Sequence, residues 1–390
     1  MSPGVADAFA PVETAIVTTF LPNLLDEDGA GVDKLRSLLA LSVRQAGIGL
    51  PNPVSTANQC YLASTECTED LTVSLLEGRP VDAAHFAASA GMRRRELRQA
   101  REQAEKARFT ELKSLAPAAD ARRMQRATET GAWLTAMPNS LNGTELSADE
   151  FKDNLRLRFG LCPTSLPPRC EGCNERFTVE HAMSCAKGGL VLLRHNDIAA
   201  EWGSLCVQAL SQSVVSAEPL IHTRRDVVAA GANGTSPEPD LRGDIGVHGF
   251  WAAGTQAIFD VRVTDTDAPT QRTTDPGKIL KKHEKAKKDK YNHLCIARRK
   301  SFTPLVFSVD GLQGVEAQAA MKDLGRWRWL SDDTWLDIAN QAMPMQQVSL
   351  PIQGALQFNG AAQTAAVNLS TQLDDTKLLA SAKVSQFSPL

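Results

Sequence analysis

The sequence has no apolar run long enough to cross a membrane. Its longest apolar stretch, at residues 15–25, is interrupted by threonine, proline and asparagine and is far shorter than the roughly 20 residues that span a bilayer. The first residues also lack the basic segment, apolar segment and cleavage site of a secretory signal. We therefore expect a nuclear or cytoplasmic protein that is not secreted, does not bind membranes and keeps its cysteines reduced or bound to metal.

The chain also has little net charge and no internal repeat. It contains 42 Lys and Arg against 45 Asp and Glu, a formal charge of -3, so its overall balance indicates neither a nucleic-acid binder nor an acidic tail. No period of about 20–50 residues recurs, which excludes solenoids and propellers. With 43% apolar residues, a chain of 390 residues can bury a sizeable core in two or three units.

Composition divides the chain into four parts. Residues 1–146 are predicted to be mainly helical, with a charged helical segment at 82–137. Residues 147–195 join a capped helix to a metal site, because Ser147 and Glu150 form a capping box that predicts a helix to about residue 159. Residues 196–335 mix helices and strands, and residues 336–390 are low in charge and are expected to be poorly ordered.

Four metal-ligand residues lie close together in the sequence. Two residues separate Cys170 from Cys173, seven more precede His181, and three precede Cys185. The first pair can bind one ion from a tight turn, and His181 and Cys185, one helical turn apart, complete a tetrahedron. Three thiolates and one imidazole form a closed shell, so we expect a structural Zn²⁺ that stabilises the fold. The alternative is a set of buried free thiols beside an unrelated histidine.

Other cysteines and one histidine lie near this cluster in the sequence. His195 is an alternative ligand to His181, although the one-turn geometry favours His181. The remaining cysteines are predicted to pack as small apolar groups: Cys60, Cys67, Cys162, Cys206 and Cys295.

A strand predicted at residues 257–264 carries Asp260 and Arg262 on one face. Fifteen residues separate Asp244 from Asp260, a length that suits two neighbouring strands, so the two carboxylates can converge. Paired carboxylates at strand ends supply the hard oxygen ligands that Mg²⁺ or Mn²⁺ needs to polarise a phosphodiester and activate water. Such spacing also arises by chance, and the residues that follow strengthen the interpretation.

Positive charge is concentrated between residues 270 and 300. This segment has eleven basic and three acidic residues, a net +8, so the remainder of the chain carries -11. On a helix Glu284, Lys287 and Tyr291 share one face, where a lysine can contact a scissile phosphate or orient water. The alternative is a solvated basic helix or a nuclear-import signal. The residues predicted to bind the phosphate backbone of DNA are Lys281, Lys282, Lys285, Lys288, Lys290, Arg298, Arg299 and Lys300.

The predicted order of helix, three strands, basic helix and strand resembles the core of the restriction-like PD-(D/E)xK endonucleases. Here Arg-Gly rather than Pro precedes the first aspartate. Together with the cysteine cluster, residues 131–311 are similar to the C-terminal part of non-LTR retrotransposon polyproteins, which carry such an endonuclease behind a reverse transcriptase. The similar segments are residues 131–134, 142–147, 194–196, 260–265 and 308–311, and more weakly 47–51.

The resemblance implies a mixed α/β fold with a restriction-endonuclease-like αβββαβ core, preceded by a zinc knuckle and a mainly helical N-terminal part. It implies a DNA endonuclease whose nick primes reverse transcription, with DNA and element RNA as partners. In the family motif the metal-binding aspartates correspond to Asp244 and Asp260, and Arg262 replaces the usual lysine. The literal Pro239-Asp240 is a less suitable match. The residues expected to be catalytic are Asp244, Asp260, Arg262, Glu284, Lys287 and Tyr291.

One feature of such elements is missing from this sequence. No Tyr/Phe-x-Asp-Asp motif of a polymerase palm occurs, and Ser331-Asp332-Asp333 lies in the wrong context. We therefore expect no polymerase activity and interpret residues 1–146 as a remnant of the region after the polymerase. The alternative function is a catalytically inactive, zinc-stabilised nucleic-acid-binding remnant of a truncated retroelement.

Overall fold

The computed structural model of the chain describes residues 5–136, 138, 145–164, 166–187, 190–222 and 240–329. These residues form two compact units that divide between Cys162 and Pro163. The capped helix at Ser147 therefore belongs to the first unit and the cysteine cluster to the second, whereas the sequence division groups them together. The predicted tail at 336–390, residues 142–144, Pro239 and the segment 331–333 lie outside the described residues.

The first unit is built from helices. Polar caps begin its two longest helices, because Asn52 accepts hydrogen bonds from two backbone amides at 2.9 and 3.0 Å and Asp82 from two at 3.0 Å. Its helices are α1 (Val5–Ala8), α2 (Ala10–Ala15), a π-helix (Ile16–Phe20), α3 (Leu21–Leu25), α4 (Gly29–Leu39), α5 (Pro53–Leu76), α6 (Ala83–Leu115), α7 (Ala118–Ala127) and α8 (Ala148–Arg158).

The capping box predicts α8 correctly. Ser147 Oγ accepts from Glu150 N at 3.2 Å, and Glu150 Oε2 accepts from Ser147 N at 2.8 Å. Leu155 of α8 is buried in one core with Leu25 and Leu39. The charged segment predicted to be helical corresponds to α6 and α7, with the polar side chains of α6 mostly in solvent.

The second unit is mixed α/β. Among the helices in the described part of the chain, none is both long and apolar enough to cross a membrane. The elements of the second unit are α9 (Val179–Ser184), α10 (Leu190–Ala209), β1 (Val215–Ala217), β2 (Leu220–His222), β3 (Leu241–Arg242), β4 (Ile245–His248), β5 (Gln256–Thr264), α11 (Pro276–Ala297), β6 (Lys300–Ser308) and α12 (Val315–Trp329).

A four-stranded sheet with the order β1-β4-β5-β6 forms the centre of this unit. Strands β1, β4 and β5 are antiparallel neighbours, whereas β6 lies parallel to β5. A parallel pair requires a crossover, and α11 supplies it. Strands β2 and β3 form a separate antiparallel pair.

Both faces of β5 are covered by helices. Phe259 points toward α10, where its ring lies 5.2 Å from that of Trp202. Ile258 points to the other face and shares a core with Cys295 of α11 and Phe302 of β6. This arrangement confirms the predicted alternation of β5, and it explains why even polar side chains of the strand are removed from water.

Candidate metal centre and acidic site

The structure brings the four residues of the cysteine cluster together. One ligand atom from each of Cys170, Cys173, His181 and Cys185 lies within 4.8 Å of the others. The Sγ atom of Cys185 is 3.9 Å from that of Cys170 and 3.8 Å from that of Cys173, whose Sγ is 3.2 Å from His181 Nε2. Sulfurs bound tetrahedrally at about 2.3 Å to one zinc ion lie about 3.8 Å apart. The cluster can therefore bind a metal ion such as zinc.

Short turns and one capped helix place these ligands. Asn174 N donates to Cys170 O at 2.7 Å, and Asn174 adopts the left-handed φ of 62° that asparagine tolerates. Thr178 Oγ1 accepts from His181 N at 3.1 Å and so begins α9. Since α9 ends just before Cys185, this cysteine and His181 lie one turn apart, as the spacing predicts.

The cysteines outside the cluster differ from one another. Cys206 and Cys295 are buried, as predicted, and burial raises the pKa of their thiols to about 12 and about 11. The same prediction is wrong for Cys60 and Cys162, which are exposed because their positions on α5 and after α8 face solvent. Cys67 is half-buried.

Asp244 and Asp260 lie side by side on neighbouring strands. Ile245 pairs with Phe259 in the antiparallel register of β4 and β5, so Asp244, one residue earlier, lies opposite Asp260. A backbone hydrogen bond from Asp244 N to Phe259 O at 2.9 Å continues the ladder to this position. The negative charge of Asp244 acts on Asp260 and disfavours its ionisation. The two aspartates therefore lie opposite each other across the strand pair.

A close approach of the two strands fixes Asp244. A Cβ at Gly243 would lie 2.4 Å from Ile258 Cγ2, so only glycine lets the backbone approach β5 at this point. The side chain of Asp244 then accepts a hydrogen bond from Val261 N at 2.5 Å through Oδ2. The carboxylate is therefore tied to β5 before any ligand binds.

Lys287 of α11 contacts Asp260. Asp260 is only 6% exposed, because its face of β5 packs against α11. Lys287 Nζ donates to Asp260 Oδ2 and also to Val261 O, the latter at 3.2 Å. Burial raises the pKa of the Asp260 carboxyl, although the charge of Lys287 opposes this effect. The site thus contains a carboxyl that is harder to ionise than a surface aspartate, paired with a cation.

His195 of α10 contacts the other carboxylate. Its Nε2 lies 3.3 Å from Asp244 Oδ2, and this hydrogen bond raises the pKa of the imidazole although burial opposes it. Burial disfavours ionisation of Asp244, but hydrogen bonds from His195 and Val261 N outweigh it and lower the pKa of the carboxyl. His195, considered above as an alternative zinc ligand, therefore contacts Asp244, and His181 completes the cysteine cluster.

Three other predicted site residues on α11 have different neighbours. Glu284 is 5% exposed, and its Oε1 accepts from Glu316 N at 2.9 Å in the first turn of α12. Lys288 Nζ donates to Glu316 Oε1 at 2.5 Å. The ring of Tyr291 packs 5.3 Å from that of Phe302. Since α11 packs lengthwise on the sheet, side chains one turn apart meet different elements, and Glu284 and Tyr291 make structural contacts.

Arg262 lies on the same face of β5 as Asp260 but has a different environment. Within the residues that the structure describes, its side chain has no hydrogen-bond or ion-pair partner. Its charge acts on His283 of α11, and His283 Nε2 lies 3.5 Å from Thr264 Oγ1. Arg262 therefore does not replace Lys287 as the cation paired with Asp260.

The basic residues predicted to bind DNA fall into two groups. Three are half-buried and lie in contact with other parts of the protein. Lys288 pairs with Glu316, Lys300 Nζ donates to Leu220 O at 3.0 Å, and Arg298 occupies the C-cap position of α11. The exposed ones are Lys281, Lys282, Lys285, Lys290 and Arg299. The exposed group leaves a positively charged surface along α11.

Sequence reasoning missed the positions of two histidines. His195 occurs in Arg194-His195-Asn196, a segment noted only for its resemblance, and nothing in its spacing indicates a contact with Asp244. His283 lies four residues before Lys287, so helical periodicity alone places the two on one face. No protein-family model matches the chain, and no curated protein is significantly similar to it. The chemistry of the site is therefore inferred from its own side chains.

Proposed function

We propose that the second unit is a metal-dependent DNA endonuclease of the restriction-like PD-(D/E)xK type. The observation that carries this proposal is the contact of Lys287 with buried Asp260, directly across from Asp244. Two carboxylates and one amine at the meeting point of two strands provide oxygen ligands for a cation and a positive group for a phosphate.

The donor set fits Mg²⁺ or Mn²⁺. Asp244 and Asp260 offer carboxylate oxygens, and the carbonyl of Val261 lies beside them, since Lys287 donates to both Asp260 and Val261 O. Hard divalent ions take oxygen ligands of these kinds and keep further positions for water and phosphate. When bound, such an ion supplies polarisation of the phosphodiester and a lowered pKa of the attacking water.

Groups of the protein itself orient the carboxylate of Asp244 and supply positive charge for the phosphate. His195 and Val261 N hold Asp244 in one orientation, which keeps its carboxylate ionised and aimed across the strand pair. Lys287 lies where it can donate to a non-bridging phosphate oxygen as negative charge develops there. Arg262 is a poor proton-transfer group because a guanidinium stays protonated, so we assign the cationic role to Lys287.

The order of elements supports the same proposal. Helix α10, the antiparallel strands β1, β4 and β5, helix α11 and the parallel strand β6 follow one another as in the αβββαβ order expected from the resemblance. The pair β2 and β3 is an addition to that order. We extend the proposal to the biological setting: the nick primes reverse transcription in the nucleus, with element RNA as a second partner.

The exposed lysines of α11 support DNA as the substrate. Lys281, Lys282 and Lys285 lie in the two turns that precede Lys287 on the same helix. Cations spaced along a helix neutralise successive phosphates and release the counterions around DNA. These lysines would attract a DNA backbone to the unit that carries the two aspartates.

Nicking of a supercoiled plasmid tests the proposal. Zinc-loaded protein at low salt is assayed with and without added Mg²⁺, beside Asp260→Asn and the control Asp289→Asn, which changes an exposed carboxylate on α11. Omitting Mg²⁺ is preferred to a chelator, because a chelator also removes zinc. We expect nicking only with Mg²⁺, its loss in Asp260→Asn and its retention in Asp289→Asn.

A different result favours the second candidate function. Folded, zinc-loaded protein that binds the plasmid without nicking it at any Mg²⁺ concentration is a non-catalytic nucleic-acid-binding protein. The exposed lysines of α11 alone are sufficient for that function.

A further inference from the structure

Arg262 is a half-buried cation without an anionic partner. It lies between Asp260 and Thr264 on the face of β5 that packs against α11, opposite Val306 in the parallel register. In the described ranges, no carboxylate or carbonyl oxygen accepts a hydrogen bond from its guanidinium. A guanidinium presents five donors in a planar fork, so this position offers a ready site for an anion.

His283 and Thr264 lie beside this guanidinium. His283 is one helical turn before Lys287, and its Nε2 is 3.5 Å from Thr264 Oγ1. Burial lowers the pKa of His283, and the charges of Arg262 on β5 and Lys282 on α11 act in the same direction, so that together they bring it to about 4. The charged groups that act on the imidazole are therefore both positive, and the ring is neutral at neutral pH.

We propose that Arg262, His283 and Thr264 form a phosphate-binding subsite for the DNA strand, adjacent to the phosphate that is cleaved. This inference rests on the proposed function, because it takes the carboxylate pair as the cleavage point. Residues two apart on a strand are about 7 Å apart, so Arg262 lies one such step from Asp260. That step is comparable to the separation of successive phosphates along a DNA strand.

The chemistry of the three groups suits a phosphodiester. Arginine binds two phosphate oxygens at once, and the hydrogen-bonded pair of Thr264 and His283 keeps one donor for the phosphate: the hydroxyl when Nε2 donates to it, or Nδ1–H when Nε2 accepts from it. The subsite fixes the register of the strand, so that the next phosphate lies at the carboxylate pair. Arg262 is thus a substrate-binding residue, distinct in role from Lys287.

Phosphate binding changes the charge around His283. A phosphodiester brings negative charge next to Arg262, and it opposes the positive charges that keep the imidazole neutral. The pKa of His283 therefore rises when DNA binds, and the complex takes up a proton in mildly acidic solution. A residue with a merely structural role does not show this response to DNA.

The experiment uses the zinc-loaded full chain, a single-stranded DNA oligonucleotide and no other divalent metal, so that binding is measured without cleavage. Histidine imidazole resonances are titrated with pH by NMR, and His283→Gln identifies the His283 signal among the seven histidines. We expect His283 to titrate near pH 4 in the free protein and at least one unit higher with the oligonucleotide.

Variants complete the test. Arg262→Ala is expected to weaken oligonucleotide binding about tenfold, and Arg262→Lys to give an intermediate loss, because lysine keeps the charge but not the fork. The matched control Lys322→Ala, which removes an exposed cation from α12, is expected to change affinity less than twofold. An RNA oligonucleotide of the same sequence that binds more tightly through Arg262 overturns the assignment to DNA.

Two failures are distinguishable. If the oligonucleotide binds, but the titration of His283 is unchanged and Arg262→Ala binds equally well, the subsite is absent whether or not the protein nicks DNA. If His283 and Arg262 respond as expected but no nicking occurs with Mg²⁺, the proposed function fails and the phosphate-binding site stands.

Discussion

Lys287 is the residue on which the proposed chemistry most depends. We predict that Lys287→Met lowers the single-turnover nicking rate constant by about 10²- to 10⁴-fold, because the variant leaves Asp260 without its cation and the phosphate without a donor. Lys285→Met, on the exposed side of α11, is the comparison: it weakens DNA binding but keeps the rate constant at saturating DNA. Equal rate constants for both variants would remove Lys287 from the mechanism.

His283 gives a prediction about stability and pH. Its pKa is about 4 in the folded chain, against 6.5 for an ordinary histidine, so between these values the unfolded chain binds a proton that the folded chain does not. The contribution of His283 to stability is therefore present above about pH 6.5 and is lost as pH falls toward 4.

His283→Gln cannot titrate, so its unfolding free energy should fall less steeply than that of the wild type between pH 6.5 and 4.5. Urea denaturation at several pH values measures this difference, and His293→Gln, at an exposed position of the same helix, is the control for a histidine-to-glutamine change. Parallel curves for all three proteins would show that folding does not change the proton binding of His283.

Local spacing predicts the residues of the site better than it predicts their partners. The cysteine cluster follows from two short spacings, and the approach of Asp244 to Asp260 follows from an antiparallel register. The contact of His195 with Asp244 depends instead on how α10 packs on the sheet. The cap that Glu284 forms on α12 likewise depends on the packing of α11, which no local pattern specifies.

At the scale of elements, we expect a metal bound by the cysteine cluster to stabilise the segment around α9. We predict that Cys173→Ser reduces the zinc content of the purified protein well below one ion per chain and lowers the thermal stability of the second unit, because the closed shell loses a thiolate. Zinc analysis and calorimetry measure these changes. The control Cys162→Ser, at an exposed thiol, should keep full zinc content. Identical zinc content in both variants would exclude Cys173 as a ligand.

The contact between β5 and the segment before β4 gives a second prediction at this scale. Gly243→Ala places a Cβ 2.4 Å from Ile258 Cγ2, so we expect destabilisation of about 1–3 kcal/mol. Gly203→Ala, within α10, meets no atom within 4 Å and should stabilise the protein by up to about 1 kcal/mol through helix propensity. Chemical denaturation of both variants checks the opposite signs; a neutral Gly243→Ala would contradict the close approach.

Elements with a clear local signal were predicted from sequence with nearly correct ends. The capping box located the start of α8, and strict alternation located β5. Helix α10 begins at Leu190, before residue 196, where the sequence division starts the part with mixed helices and strands. Its first turns contain consecutive apolar residues, including exposed Leu192, and a continuous apolar run has no helical period to recognise.

Charge is divided unequally over the whole molecule. Net charge is -3, yet residues 270–300 carry eleven basic and three acidic residues, and five of the eight basic residues predicted to bind DNA are exposed. If each exposed cation neutralises one phosphate, the logarithm of the DNA association constant should fall with the logarithm of salt concentration with a slope of about -4 to -5. Fluorescence anisotropy at salt concentrations between about 50 and 200 mM measures this slope. A slope of about -1 would mean that α11 does not bind the phosphate backbone of DNA.

The most direct test of the whole account is the Mg²⁺ dependence of plasmid nicking by zinc-loaded wild-type protein and Asp260→Asn, measured under single-turnover conditions. The carboxylate pair predicts a nicking rate that rises and saturates with Mg²⁺ for the wild type and is absent for the variant, although both proteins bind the plasmid. Nicking that persists in Asp260→Asn, or wild-type protein that binds without nicking, would contradict the assignment of Asp244, Asp260 and Lys287 as a catalytic centre.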